Sequence, residues 1–189
     1  MTAARRSITI ALMAAGAFFG SSYLLLLLVL GLHLGRIFSV PNAGMAPTIA
    51  RGDSVYMDAF AFGKSGPARG DVVVFRGDGL PTLVRHYDWQ VKRIVGLPGD
   101  TISIRDGKLY VGENPAPELA RFQYEIFMYD NYLTNEDPSY TVPPDTYFVL
   151  GDNPKGRYDS RFFGPVPATN IAGRAVFRCW PPGRAGAVR

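Results

Sequence analysis

The chain has very little of what builds metal centres or covalent cross-links. Its 189 residues include one cysteine, Cys179, and two histidines. A single thiol cannot close a disulfide within the chain, and these residues fall short of a structural zinc set. Neither a metal nor a cofactor is expected. Charge of one sign is also scarce. Twenty Lys and Arg against 16 Asp and Glu leave a formal charge of +4, and the arginines are scattered rather than gathered in a stripe. No nucleic-acid footprint follows from that distribution. Internal repeats and long low-complexity tracts are absent too.

Apolar residues are plentiful, at 47%, but unevenly spread. Residues 8–34 run almost without charge through Leu24-Leu25-Leu26-Leu27-Leu28-Val29-Leu30. About 20 apolar residues span a bilayer core, so this stretch is long enough to cross with some tilt. A removable secretory signal is the competing reading, and Ala15-Gly16-Ala17 looks like its cleavage site. The apolar run continues well past that point, however, far beyond an h-region of roughly 7–15 residues. The segment therefore reads as an anchor. Arg5 and Arg6 before it place residues 1–7 in the cytoplasm and residues 35–189 outside, on the plasma (inner) membrane. His33 and Arg36, at the exit, read as interfacial anchors.

After Gly35 the pattern becomes short runs of period two, bounded by Gly, Pro and Asp. Strands are expected at residues 54–57, 72–75, 91–95, 101–104, 108–111, 147–150 and 171–180. Asp106-Gly107 between two of them is a hairpin signal, because both turn positions need positive φ. Residues 114–140 show little periodicity and carry Phe122, Tyr124, Phe127, Tyr129 and Tyr132. They read as an irregular insertion packing its aromatics on a sheet. Cys179 falls in the last strand and reads as a half-buried, inert thiol. The domain is expected to be mainly β, with mixed, mostly antiparallel sheets.

Five segments then take on meaning together. They are the amino-terminal apolar stretch, Pro41-to-Ile49, Arg69-Gly70-Asp71-Val72-Val73-Val74-Phe75, Lys92-Arg93-Ile94-Val95-Gly96-Leu97-Pro98-Gly99-Asp100, and Gly151-Asp152-Asn153 continuing to Asp159-Ser160-Arg161. In this order they resemble the type I signal peptidases. The resemblance implies a signal peptidase I-like fold with one transmembrane helix, a serine/lysine dyad, and signal peptides of exported preproteins and the lipid bilayer as partners. A serine hydroxyl attacks the scissile carbonyl while a neutral lysine takes its proton. A lysine of ordinary pKa, about 10.4, is a base only where burial disfavours its ammonium form. Lys92 fits that role, since alternation turns it away from Val91.

At three positions the chain departs from what the resemblance implies. Gly44 stands where the family has its nucleophilic serine. Arg157 stands where a serine hydroxyl commonly orients the lysine. Asn42 stands where a hydroxyl often helps the backbone N–H of position 44 bind the oxyanion. An amide NH₂ can donate the same bond, worth about 2.7–4 kcal/mol, although a plain turn residue after Pro41 is an equal reading. Ser39, Thr48 and Ser160 are poorly placed to attack instead. Arg93, Asp152, Asp159 and Arg161 are expected to hold the site's floor by salt bridges, and the glycines 96, 99 and 151 to serve as turn residues chosen for φ. Two functions remain open. One is a signal peptidase whose nucleophile has been replaced, by engineering or in its gene; the other is a non-catalytic pseudopeptidase that binds signal peptides or exported precursors.

Overall fold

The computed structural model describes residues 20–23, 35–63, 65–80, 89–116, 119, 123–124, 132–134, 138–153, 155–156 and 158–189. The chain divides into two compact units, residues 1–34 and 35–189. Of the first, residues 20–23 are described, and they are helical and exposed. The rest of the expected anchor lies outside the described residues. Among the described residues no helix is long and apolar enough to cross a membrane.

The second unit is built of strands. In chain order these are β1 (Arg36–Ser39), β2 (Ser54–Asp58), β3 (Val72–Arg76), β4 (Trp89–Gly96), β5 (Thr101–Arg105), β6 (Lys108–Val111), β7 (Asn114–Pro115), β8 (Ser139–Thr141) and β9 (Thr146–Leu150). A short helix α1 (Ser160–Phe163) precedes β10 (Val166–Pro167), β11 (Ile171–Trp180) and β12 (Gly186–Ala187). The larger sheet runs β1-β2-β11-β3-β4-β9-β10, with β12 beside β11; the smaller runs β7-β6-β5-β8. Every pairing among these strands is antiparallel. The expected mixture of sheets is thus wholly antiparallel among the described residues.

All seven expected strands form, with ends shifted by no more than two residues. The β5–β6 hairpin turns at Asp106 (φ 50°) and Gly107 (φ 75°), so both positions take the left-handed backbone its sequence implies. β1 escaped the reading because it follows directly on the long apolar run and is mostly exposed.

Strand periodicity sorts the core into two faces of the large sheet. Val73, Phe75, Ile94 and Val149 face one cluster; Val72, Val74, Val55, Met57 and Ala175 face another. Each of the Val, Ile, Phe and Met side chains contributes about 1.5–3 kcal/mol by burial. β3 is covered on both faces, which is why Val72 to Phe75 reads as a continuous apolar run. A third cluster joins the small sheet to Val95 and Phe148, and it takes in Leu119, Tyr124 and Leu133 from the irregular insertion. Tyr132 packs against it and meets Tyr140 edge-on at 5.5 Å. Phe122, Phe127 and Tyr129 lie outside the described residues. Cys179, on β11, is half-buried.

Candidate active site

The position-44 segment is a compact turn pinned at both ends. Val40 N–H donates to the Asp53 carbonyl, and Gly52 N–H donates back to the Val40 carbonyl, both at 2.8 Å. Within the turn, Ile49 N–H donates to the Met45 carbonyl. Met45 and Ile49 are fully buried in the cluster beneath β2 and β11, so their side chains fix the turn on the sheet. Two arginines near the carboxyl end brace its far side. Arg178 donates to the Thr48 carbonyl, and Arg184 pairs with the buried Asp53 carboxylate at 3.2 Å.

The segment that follows β9 holds the other side of the turn. Asn153 donates its backbone N–H to the Gly44 carbonyl at 3.1 Å and its side-chain Nδ2 to the Ala43 carbonyl at 3.0 Å. Gly151 and Gly156 press close to the same backbone. A Cβ on Gly151 would stand 2.4 Å from the Gly44 oxygen, and one on Gly156 would stand 3.6 Å from the Gly44 Cα. Gly151 was expected to be glycine for its φ; it has no positive φ, and the requirement is closeness instead. The same correction applies to Gly96, whose Cβ would meet Val142 at 2.8 Å, whereas Gly99 does take φ 84°.

β4 carries Lys92 towards this turn. Its side chain is 3% exposed. Burial pushes its amine below the ordinary value; the Asp159 carboxylate opposes that shift, the Arg161 guanidinium adds to it, and Asp152 opposes it. Position 44 and the amine are adjacent: a Cβ built on Gly44 would lie 2.9 Å from Lys92 Nζ and 3.1 Å from Asn42 Oδ1. Gly44 N–H donates to that same Asn42 oxygen at 3.0 Å. Of the two groups read as oxyanion donors, the Gly44 N–H is thus engaged by the Asn42 oxygen in this conformation.

Beneath the amine lie two buried ion pairs. Arg93 grips Asp152 with two hydrogen bonds, Nε to Oδ1 at 2.7 Å and Nη2 to Oδ2 at 2.6 Å. Asp159 is held by Arg161 through Nε at 2.9 Å and Nη2 at 2.7 Å. Asp159 also accepts the N–H of Gly151, while Arg161 donates to the Gly156 carbonyl at 2.7 Å. This second pair therefore spans the two glycines that pack against Gly44. Ser160 is buried, its hydroxyl accepting the Val149 N–H at 2.9 Å. Ser39 is exposed on β1. Arg157 lies outside the described residues. Among the described residues, no cluster of His, Cys, Asp and Glu is suited to a metal ion.

Residues 12–180 match the family model described as signal peptidase, peptidase S26. The chain belongs to that family. It is 34% identical over 157 residues to the signal peptidase I of Leptolyngbya laminosa, covering 78% of this chain and 70% of that protein. It is also 34% identical to thylakoidal processing peptidase 1, chloroplastic, of Arabidopsis thaliana, covering 77% of this chain but only 42% of that longer protein. Superposed on the crystal structure of a signal peptidase I from Enterococcus faecalis, it covers 58% of this chain and 97% of that one, with 33% identity and a TM-score of 0.43.

In this signal peptidase family member, then, a buried amine faces a residue with no side chain. An amine whose charge is disfavoured can accept a proton, but Gly44 offers no hydroxyl or thiol to give one. Sequence reasoning missed Asn153, Arg178 and Arg184. Asn153 sits inside the Gly-Asp-Asn box, so its place in a matched segment was the available signal. The two arginines reach the turn from about 130 positions further along the chain, and nothing local marks them.

Proposed function

We propose that this chain recognises the signal peptides of exported preproteins at a signal peptidase site and, as it stands, cleaves them little or not at all. Residues 8–34 anchor it in the bilayer with the amino terminus cytoplasmic, and the β domain works outside. Lys92 is the general base of the site, and position 44 is where the nucleophile belongs. The observation that carries this reading is the 2.9 Å between Lys92 Nζ and the Cβ position of Gly44. A serine there would put its hydroxyl within reach of the amine. Asn42 turns its amide towards the oxyanion once a substrate carbonyl competes for the Gly44 N–H. Arg93, Asp152, Asp159 and Arg161 support the floor and take no part in proton transfer.

Without a fixed nucleophile no covalent intermediate forms, and a loosely held water lacks the proximity advantage. Loss of one member of such a catalytic unit leaves about 10³–10⁴ over water, from binding and oxyanion stabilisation alone. The test is cleavage of a preprotein by detergent-solubilised protein, as it stands and as Gly44→Ser, with Gly44→Ser/Lys92→Ala as control. Gly44 has no positive φ, and the two close atoms, Lys92 Nζ and Asn42 Oδ1, are ends of side chains that can shift, so the turn accepts a serine. Cleavage by Gly44→Ser alone is the expected result. Cleavage by none of the three would overturn the peptidase part of the reading and favour a precursor-binding protein.

A further inference from the structure

Lys92 has a second chemical capacity that its role as a base leaves unused. Its amine donates no hydrogen bond to any described residue. The nearby charges are spoken for: Asp152 is held by Arg93, and Asp159 by Arg161. A lone buried amine beside a residue without a side chain is a nucleophile that nothing at position 44 covers. The carbonyl carbon that a serine at position 44 would attack must lie just beyond that residue's Cβ. Nζ already stands 2.9 Å from the Cβ position.

We propose that Lys92 is a covalent capture site for aldehydes, forming an imine with a carbonyl presented beside Gly44 at the end of an extended peptide. The peptide part of this inference rests on the signal-peptide reading above. In the reaction the Nζ lone pair bonds to the carbonyl carbon, and a proton passes from nitrogen to the oxygen. The resulting carbinolamine then loses its C–O bond; water leaves and C=N remains. Asn42 Oδ1, 3.1 Å from the same Cβ point, is placed to accept the carbinolamine O–H. Burial favours the neutral amine that can attack, whereas an exposed lysine pays no such penalty for its ammonium form.

The chain makes the test simple, because it has four lysines: Lys64, Lys92, Lys108 and Lys155. Lys108 and Lys155 are exposed and serve as internal references. The full chain in detergent is incubated near neutral pH with an acetylated tripeptide aldehyde ending in alaninal, plus sodium cyanoborohydride to trap the imine as a secondary amine. Intact mass and peptide mapping follow the product. A single adduct on Lys92 is expected, forming at least about tenfold faster than on Lys108 or Lys155. Gly44→Ala, whose methyl would press on Nζ at 2.9 Å without adding a nucleophile, slows it about as much, and Lys92→Arg removes it.

Labelling of Lys108, Lys155 or the terminal amine ahead of Lys92 overturns the proposal, and so does an unchanged rate in Gly44→Ala. Mapping on the unaltered chain decides the matter even where a variant folds poorly. The outcomes also separate from those of the cleavage test. An adduct on Lys92 without cleavage by Gly44→Ser removes the peptidase reading and leaves the capture site. Cleavage by Gly44→Ser with no adduct on the unaltered chain does the reverse.

Discussion

The carbonyl oxygen of Gly44 occupies the place where a side chain on Gly151 would have to go, at 2.4 Å from the position of its Cβ. Two segments more than a hundred residues apart thus meet backbone to backbone, and the contact sets how deep the position-44 turn sits over Lys92. Gly151→Ala should force them apart. Overpacking of this kind costs about 1–3 kcal/mol, and thermal denaturation of the β domain should show that loss. Gly183→Ala is the matched control: nothing lies within 4 Å of its Cβ position. That change is expected to be neutral or to stabilise by about 0.4–1 kcal/mol through the unfolded chain. Equal melting temperatures for the two variants would show that the two segments part at this contact without cost.

Asn153 is the second fastener of the same turn, with two donors on consecutive carbonyls. Asn153→Ala removes the side-chain bond to Ala43 and leaves the backbone bond to Gly44. A hydrogen bond of this type contributes about 0.5–1.5 kcal/mol, so the fold should survive. Its effect should appear in Gly44→Ser as a fall in kcat of about tenfold or more, because small displacements of a nucleophile cost rate steeply. KM should change little, since Asn153 is bonded to the turn. A rise in KM with kcat intact would place Asn153 in substrate binding instead.

Much of this was legible in the sequence, and the boundary has a physical cause. Period-two runs such as Val72 to Phe75 declare strands because burial alternates with the pleat, and alternation also turned Lys92 away from Val91. Asp106-Gly107 declared its own turn by steric demand. What escaped depends on partners distant in the chain. Gly151 is glycine because of Gly44, and Gly96 because of Val142; locally both look like turn residues. Arg178 and Arg184 look like surface charge until β11 and the segment after it are laid against the turn at Pro47 and Thr48. The engagement of Asn42 with the Gly44 N–H was equally hidden, since an amide can donate or accept and only geometry decides.

The Arg93–Asp152 pair, 3% and 0% exposed, should behave as a unit. Arg93→Met leaves Asp152 buried without its cation, and Asp152→Leu strands Arg93. Either single change should cost about 3–5 kcal/mol, whereas the double change should recover much of the loss. Urea denaturation of the three variants gives the coupling energy directly. Additive losses would mean that the two side chains are held independently.

The last prediction concerns the pH dependence that Lys92 imposes on stability. Its folded-state pKa is lowered from 10.5 chiefly by burial, with Asp159 working against the shift and Arg161 with it. Between the folded value and 10.5 the unfolded chain therefore binds more protons than the folded one. Stability contributed by this group must rise with pH across that window and level off above it. Below the folded value the deficit is constant, because both states then carry the charge. Lys92→Met keeps the side chain's length and apolar character but cannot titrate. Subtracting its stability from that of the unaltered chain isolates the lysine from other groups that titrate in the same range. The difference should be most unfavourable to the lysine below its folded value and should shrink as pH rises towards 10.5. A difference that stays flat over this range would mean that the amine keeps its ordinary affinity for protons, and neither general base nor carbonyl capture could then be assigned to it.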